Sequence, residues 1–226
     1  MQKTQSGFTL IEIAIVLVII GLLLGGIVKG QELINSAKVK NLAGDFRAIP
    51  LLIYSYQDKY RALPGDDAAA ATHLSGATAA TTPAASQGNG VINGNWNSAT
   101  PTDETYLVWQ HLRLANLTTG STTPGASDYL PGNALGGVLG LQSGTSLAAS
   151  SPIKDGAGNP LRGIYLICSS GVAGKYVKQL DEQLDDGNTA SGAMLATPTS
   201  GYAIGASATP TASIDESVAY TVCMGI

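Results

Sequence analysis

An uncharged apolar run from Ile13 to Val28 stands near the head of the chain, entered through Phe8, Thr9, Leu10, Ile11 and a single acid, Glu12. From Phe8 to Val28 the segment has 21 residues, about 31 Å of helix at ~1.5 Å per residue, close to the ~30 Å hydrocarbon layer of a bilayer. No polar stripe interrupts Ile13–Val28, so the buried helix of a soluble core fits poorly. A cleaved secretory signal fits no better, because Leu24-Gly25-Gly26-Ile27-Val28-Lys29 offers no Ala-x-Ala site. The pattern predicts a membrane-crossing helix. Past Lys29 it becomes amphipathic: Leu33, Ala37, Leu42, Phe46, Ile49, Ile53, Tyr56 and Tyr60 recur at near-helical steps, with Gln31, Glu32, Lys38, Lys40, Asp45, Arg47 and Asp58 on the wet side. One helix from about Phe8 to Tyr60 is expected, kinked near Pro50, whose ring removes a backbone bond. Leu63-Pro64-Gly65-Asp66 reads as the turn that ends it.

Residues 61–226 shift to Ala, Gly, Thr, Ser and Asn and form the expected head domain. Thr100 as cap, Pro101 at the first helical position and Asp103 predict a short packed helix over 101–117. Gly163–Cys168 and Val218–Cys223 are rich in β-branched and aromatic residues and predict strands, and Lys175–Leu184 predicts a helix. Segments 75–100 and 118–160 have little apolar periodicity and are expected as long loops, either ordered on the surface or bearing function. The class is α+β.

Charged residues are 12% of the chain, against about 25% in an average soluble domain. With a formal charge of −4 there is no basic field to neutralise a phosphate backbone, so generic nucleic-acid binding is excluded as an expectation. Cys168 and Cys223 have no Cys-x-x-Cys spacing and no nearby histidine, which leaves a structural zinc site nothing to build on. They read as one disulfide or as two buried thiols; a bridge would tie the two predicted strands and close a loop of about 55 residues, worth roughly 4 kcal/mol on the loop-entropy model. His73 and His111 have no Gly-x-Ser-x-Gly or His-Glu-x-x-His context and read as surface or rim histidines, so no catalytic residue is assigned. Gly88–Gly94 misses the dinucleotide-binding spacing and reads as a turn. Asp181, Glu182, Asp185 and Asp186, followed by Gly187 and Asn188, could offer oxygens to Ca²⁺ but lack EF-hand spacing; a solvated helix end before a glycine turn is the plainer reading, with Asp181, Asp185 and Asp186 kept as a weak calcium candidate and no other cofactor expected.

Glu12 carries the most information. A carboxylate at the centre of a membrane helix costs ~2.5–3.5 kcal/mol on insertion scales, less near an end, so it calls for a partner. Met1-Gln2-Lys3-Thr4-Gln5-Ser6-Gly7, then Phe8-Thr9-Leu10-Ile11-Glu12 and the apolar run, resembles the amino-terminal signature of type IV prepilins and type II secretion pseudopilins. The resemblance implies cleavage between Gly7 and Phe8 by a prepilin peptidase, methylation of the new Phe8 amine, and use of Glu12 to neutralise the amino terminus of a neighbouring subunit during assembly. It divides the chain into a leader (1–7), a transmembrane and assembly helix (8–29), an amphipathic half (30–60) and a globular periplasmic or extracellular head (61–226). It implies a pilin-like fold, a long helix packed on a small antiparallel-sheet head with long loops.

The implied partners are the peptidase/methyltransferase, an inner-membrane assembly platform, membrane lipid before assembly, and copies of the chain and other pilins. The implied location is the bacterial inner membrane, single pass with the head in the periplasm, and then a surface pilus or periplasmic pseudopilus. The resemblance also favours the Cys168–Cys223 bridge, since many pilins carry a disulfide-bounded carboxyl-terminal loop, and it keeps calcium in view, since some major pseudopilins bind it. The expectation is a pilus subunit, with a pseudopilin as the alternative that Lys29 keeps open, since it stands where pilus-forming members commonly carry proline. A minor pilin or anchored adhesin displaying the Ser/Thr/Asn-rich loops is a second alternative, and a tethered hydrolase finds no nucleophile constellation. Orientation rests on the resemblance, because Lys3 lies inside while Lys29, Lys38 and Lys40 lie on the presumed outside.

Overall fold

A computed structural model describes residues 9–226. The first helix, α1 (Leu10–Tyr60), runs through both the apolar and the amphipathic segments, and its helical turns continue past Pro50. By internal contacts the chain separates after Lys38, with residues 39–226 forming the larger unit. In the first unit every residue from Leu10 to Lys29 is exposed, and this helix alone among the described residues is long and apolar enough to cross a membrane.

Within residues 39–226 the end of α1 buries Val39, Leu42, Ala43, Phe46, Ile49, Pro50, Ile53 and Tyr56. Their near-helical spacing draws one stripe along a single helix face. The stripe begins later than the sequence pattern suggested, for Leu33 and Ala37 are exposed. Arg61, at a positive φ of 56°, turns the chain out of α1. Gly65 then takes φ +88° where a Cβ would stand 2.3 Å from the Glu104 carbonyl oxygen; only glycine lets this turn press onto the next long helix.

A single-turn helix α2 (Ala70–His73) precedes α3 (Glu104–Leu114). α3 starts three residues later than expected, capped at Asp103 rather than Thr100. The Asp103 carboxylate is used by Ser98 and Thr82, whose hydroxyls donate to it, so it pins the preceding loop. The sheet then forms from β1 (Leu139–Ser143), β3 (Tyr165–Ala173), β4 (Met194–Pro198) and β6 (Ala219–Gly225), with β2 (Ile153–Lys154) and β5 (Ala206–Ser207) as a separate parallel pair and α4 (Gly174–Leu184) between β3 and β4. The four-stranded order is β1-β3-β6-β4, antiparallel throughout. The head is α+β and pilin-like, as the sequence implied.

The strands alternate between two cores. Tyr165, Ile167, Val172, Val222 and Met194 join the α1 stripe, α3 and α4 in the main cluster, while Leu166, Cys168, Leu195 and Cys223 face a second cluster with Trp96, Ile153 and Leu161. Both faces of the sheet are therefore covered, which is why β3 reads as a continuous apolar run rather than an alternating one. β1 was not legible beforehand. Its Gly140 would place a Cβ 2.1 Å from the Trp96 carbonyl oxygen, so the residue that weakens the strand pattern is the one that admits the Trp96 loop.

Candidate functional site

At the head of α1 the structure places Glu12 in a reciprocal cap. The Thr9 N–H and the Thr9 hydroxyl both donate to Glu12 Oε2 at 2.7 Å, and the Glu12 N–H donates to Thr9 Oγ1 at 3.3 Å. Three residues separate the pair, the spacing of a capping box, in which each side chain satisfies an orphan N–H of the first turn. Thr9 was missed by the sequence reading, although the Thr-x-x-Glu spacing was there to be seen. Glu12 therefore has a partner in its own chain, and its carboxylate has a local use as a helix cap. Gly7 and Phe8, where cleavage and methylation are expected, lie outside the described residues.

The glycine loop behaves as an anion cradle whose anion is built in. The Gly88 and Asn89 N–H groups donate to Asp66 Oδ1 at 2.6 and 3.2 Å, and the Gly90 N–H donates to Oδ2 at 2.7 Å. Asp66 is 2% exposed. Nearby, Glu104 is buried and accepts from the Asn93 N–H at 2.7 Å and from the Ser86 hydroxyl; burial, only partly offset by these donors, pushes its pKa up. Two carboxylates thus hold 86–93 in place. The segment 75–100 is an ordered excursion.

His73 and His111 divide between two roles. His111, expected at the surface, is fully buried: its Nδ1 accepts from the Gly65 N–H at 3.0 Å, and its Nε2–H donates to the Thr78 carbonyl at 2.8 Å. That pair of bonds fixes the neutral Nε2–H tautomer, and burial lowers its pKa. α3 buries all ten residues from Glu104 to Arg113, so the helix has no wet side on which a histidine could lie. His73 is partly exposed, with Nδ1 2.7 Å from Asp67 Oδ2, an oxygen that also accepts the Tyr56 hydroxyl at 2.7 Å. Burial first, then Asp67, raise the Tyr56 pKa and keep the phenol a donor. Asp66, Asp67 and His73 border a cleft of about 380 Å³ with Tyr60, Gly88 and Gly90. Among the described residues that line it there is no serine, threonine or cysteine, so the His73–Asp67 pair has no hydroxyl or thiol of those types there to activate.

Cys168 and Cys223 stand directly opposite in the β3–β6 register and are bonded, with Cα atoms 4.0 Å apart. Both are buried in the second cluster. The bridge clamps the two central strands on the face turned away from α1.

The acidic cluster departs from the solvated helix end expected of it. Asp181 is 0% exposed on the last turn of α4; its carboxylate oxygens meet no donor in strict hydrogen-bond geometry, though the Gly187 backbone N–H lies close enough to favour the ionised form. Asp185 and Asp186 lie beside it, with one oxygen from each of the three within 4.8 Å of the others.

Compared with curated proteins and with solved structures, the chain has no significant match. Residues 2–28 match the family model described as the prokaryotic N-terminal methylation motif. That motif opens the exposed apolar half of α1 and contains Glu12, and it points to a structural subunit rather than an enzyme. With it the chain carries the signature of the type IV pilin and pseudopilin class.

Proposed function

We propose that this chain is a type IV pilus subunit, cut between Gly7 and Phe8 by a prepilin peptidase, methylated on Phe8, and assembled through α1 into a filament whose surface is the head. The observation that supports the reading most is the conjunction of the methylation motif over residues 2–28 with an uncovered apolar helix half that carries one acid at its start. In an apolar surrounding an unpaired carboxylate is costly, while a carboxylate meeting a cationic amine from a neighbouring copy is tolerated, so the pair penalises every stagger but one. The cap sharpens this account. Both Thr9 donors fall on Oε2, and on this reading Oε1 is the oxygen left to accept the amine.

Mass spectrometry of sheared surface filaments tests processing: a chain beginning at methylated Phe8 is expected, and one retaining Met1 to Gly7 would overturn the proposal. Glu12→Gln tests the pairing separately, because glutamine preserves a capping box and removes the charge. Filaments are expected to be lost while membrane insertion persists; normal filaments would reduce Glu12 to a helix cap. The pseudopilin reading rests on one observation, Lys29 in place of the proline common in pilus-forming members, and imaging decides it by whether filaments leave the cell surface. Use of the loops for adhesion predicts that deleting 75–100 abolishes binding and spares filaments.

A further inference from the structure

We propose that the glycine loop modifies itself: the Gly90 backbone nitrogen attacks the Asn89 side chain and expels ammonia, and water opens the resulting cyclic imide to aspartate or isoaspartate. The inference is independent of how the filament is used. An Asn-Gly pair alone would not carry it, because the chain has two of them four residues apart, Asn89-Gly90 and Asn93-Gly94, and the structure equips them differently. At the first pair the Gly90 N–H donates to Asp66 Oδ2 at 2.7 Å, so a buried carboxylate stands at the proton that must leave the attacking nitrogen. Asn89 Oδ1 accepts the Val91 N–H at 2.8 Å and the Asn93 Nδ2–H at 3.3 Å. Both donors sit where negative charge grows as Cγ becomes tetrahedral. Asn89 Nδ2, the leaving group, makes no hydrogen bond among the described residues, since only the oxygen of that amide is engaged.

The turn also brings the reacting groups together. A side-chain oxygen that reaches the N–H two residues on carries its Cγ back across the intervening nitrogen, here that of Gly90. Gly90 has φ +82° and a Cβ there would meet nothing within 4 Å, so the imide ring has room, and Asn89 is exposed, so water reaches it. In the step the bond from Gly90 N to Asn89 Cγ forms and the Cγ–Nδ2 bond breaks. The Gly90 proton passes to Asp66 and is returned through water to Nδ2, which departs as ammonia and leaves Asp66 ionised as before. Water then adds to either imide carbonyl and opens the ring. At the second pair the arrangement is reversed. The Gly94 N–H has no acceptor among the described residues, while Asn93 Nδ2 is held by Glu104 Oε2 at 3.2 Å, by the Val91 carbonyl at 3.0 Å and by Asn89 Oδ1. There the nucleophile lacks a base and the leaving group is pinned. Each conversion at Asn89 places a new carboxylate on an exposed loop, so an old subunit shows a surface that a new one lacks.

The full-length chain in detergent is incubated at neutral pH in heavy-oxygen water, beside the same chain unfolded in urea, and peptides covering both pairs are followed by mass spectrometry. Heavy oxygen marks every residue that passes through hydrolysis. In urea the two pairs should convert at similar rates. In the folded chain Asn89 is expected to convert at least about tenfold faster than Asn93 and faster than it does in urea, with aspartyl and isoaspartyl products both present. Asp66→Asn should slow the folded reaction at Asn89 about tenfold or more with unchanged near-ultraviolet circular dichroism. Slower conversion of Asn89 in the folded chain than in urea would overturn the proposal and make the cradle a guard. Equal folded rates at Asn89 and Asn93 would overturn it too, and parental conversion in Asp66→Asn would overturn the assignment of Asp66 as proton acceptor. Should Asp66→Asn fail to fold, the ratio of folded to unfolded rates in the parent decides alone.

Discussion

Between Leu10 and Val28, α1 shows its side chains to the outside on every face, whereas between Val39 and Tyr56 the same helix hides about every third or fourth residue inside the head. The backbone is one element; the free energy comes from different places. In the docked half, burial of Phe46, Ile53 and Tyr56 supplies the stabilisation and the Tyr56 hydroxyl adds a bond to Asp67. The other half contributes no burial within the chain. Its apolar surface is stabilised only by what surrounds it, lipid or neighbouring helices. Secondary structure therefore says little about which part of a helix belongs to the fold and which part belongs to its environment.

Unfolding experiments on the full chain in detergent can break this contrast. The largest loss is expected for Phe46→Ala, about 3–5 kcal/mol for emptying a fully buried ring site. Cys168→Ser together with Cys223→Ser should cost roughly 2–4 kcal/mol, measured as a lower urea midpoint. Asp66→Ala leaves three loop N–H groups without their carboxylate acceptor and should cost about 1–3 kcal/mol, with amide exchange quickening at Gly88 and Gly90. His111 contributes a pH dependence. Burial holds its folded pKa below the ordinary 6.5, so below about pH 6.5 the unfolded chain takes up a proton that the folded chain refuses. Stability should therefore be full above that pH and fall as the pH is lowered, and His111→Gln should flatten part of the slope. The smallest effect is expected in the uncovered half: Ile19→Ala should move head stability by less than about 0.5 kcal/mol. A cost comparable to Phe46→Ala would show that Ile19 is buried within the chain and would erase the distinction.

The elements with strong periodicity were legible from the residues alone: the span and end of α1, α4, and the positions of β3 and β6 with their paired cysteines. β1 and β4 were not. β1 is short and carries Gly140 because Trp96 needs the space, and β4 follows Gly192 and ends in Pro198, so neither presents an alternating run. The polar framework of the head was equally hidden. Nothing local in Asp66 or His111 shows that they bind backbone groups 22 to 46 residues away, because such bonds exist only after the chain has closed on itself. The acidic run at the end of α4 was seen, but its innermost member, Asp181, was taken for a wet residue, since amphipathic spacing does not say that a helix end is buried. At the head of α1 the resemblance directed attention to Glu12 across subunits, and the local use of the same carboxylate by Thr9 went unremarked.

That local use has a consequence for the order of events at the membrane. Thr9 and Glu12 both lie beyond the Gly7–Phe8 junction, so a cut there would leave this cap in place. Under the proposed function, a freshly trimmed subunit would carry a ready-wound first turn into the polymer, and joining it would be a change of company rather than of shape.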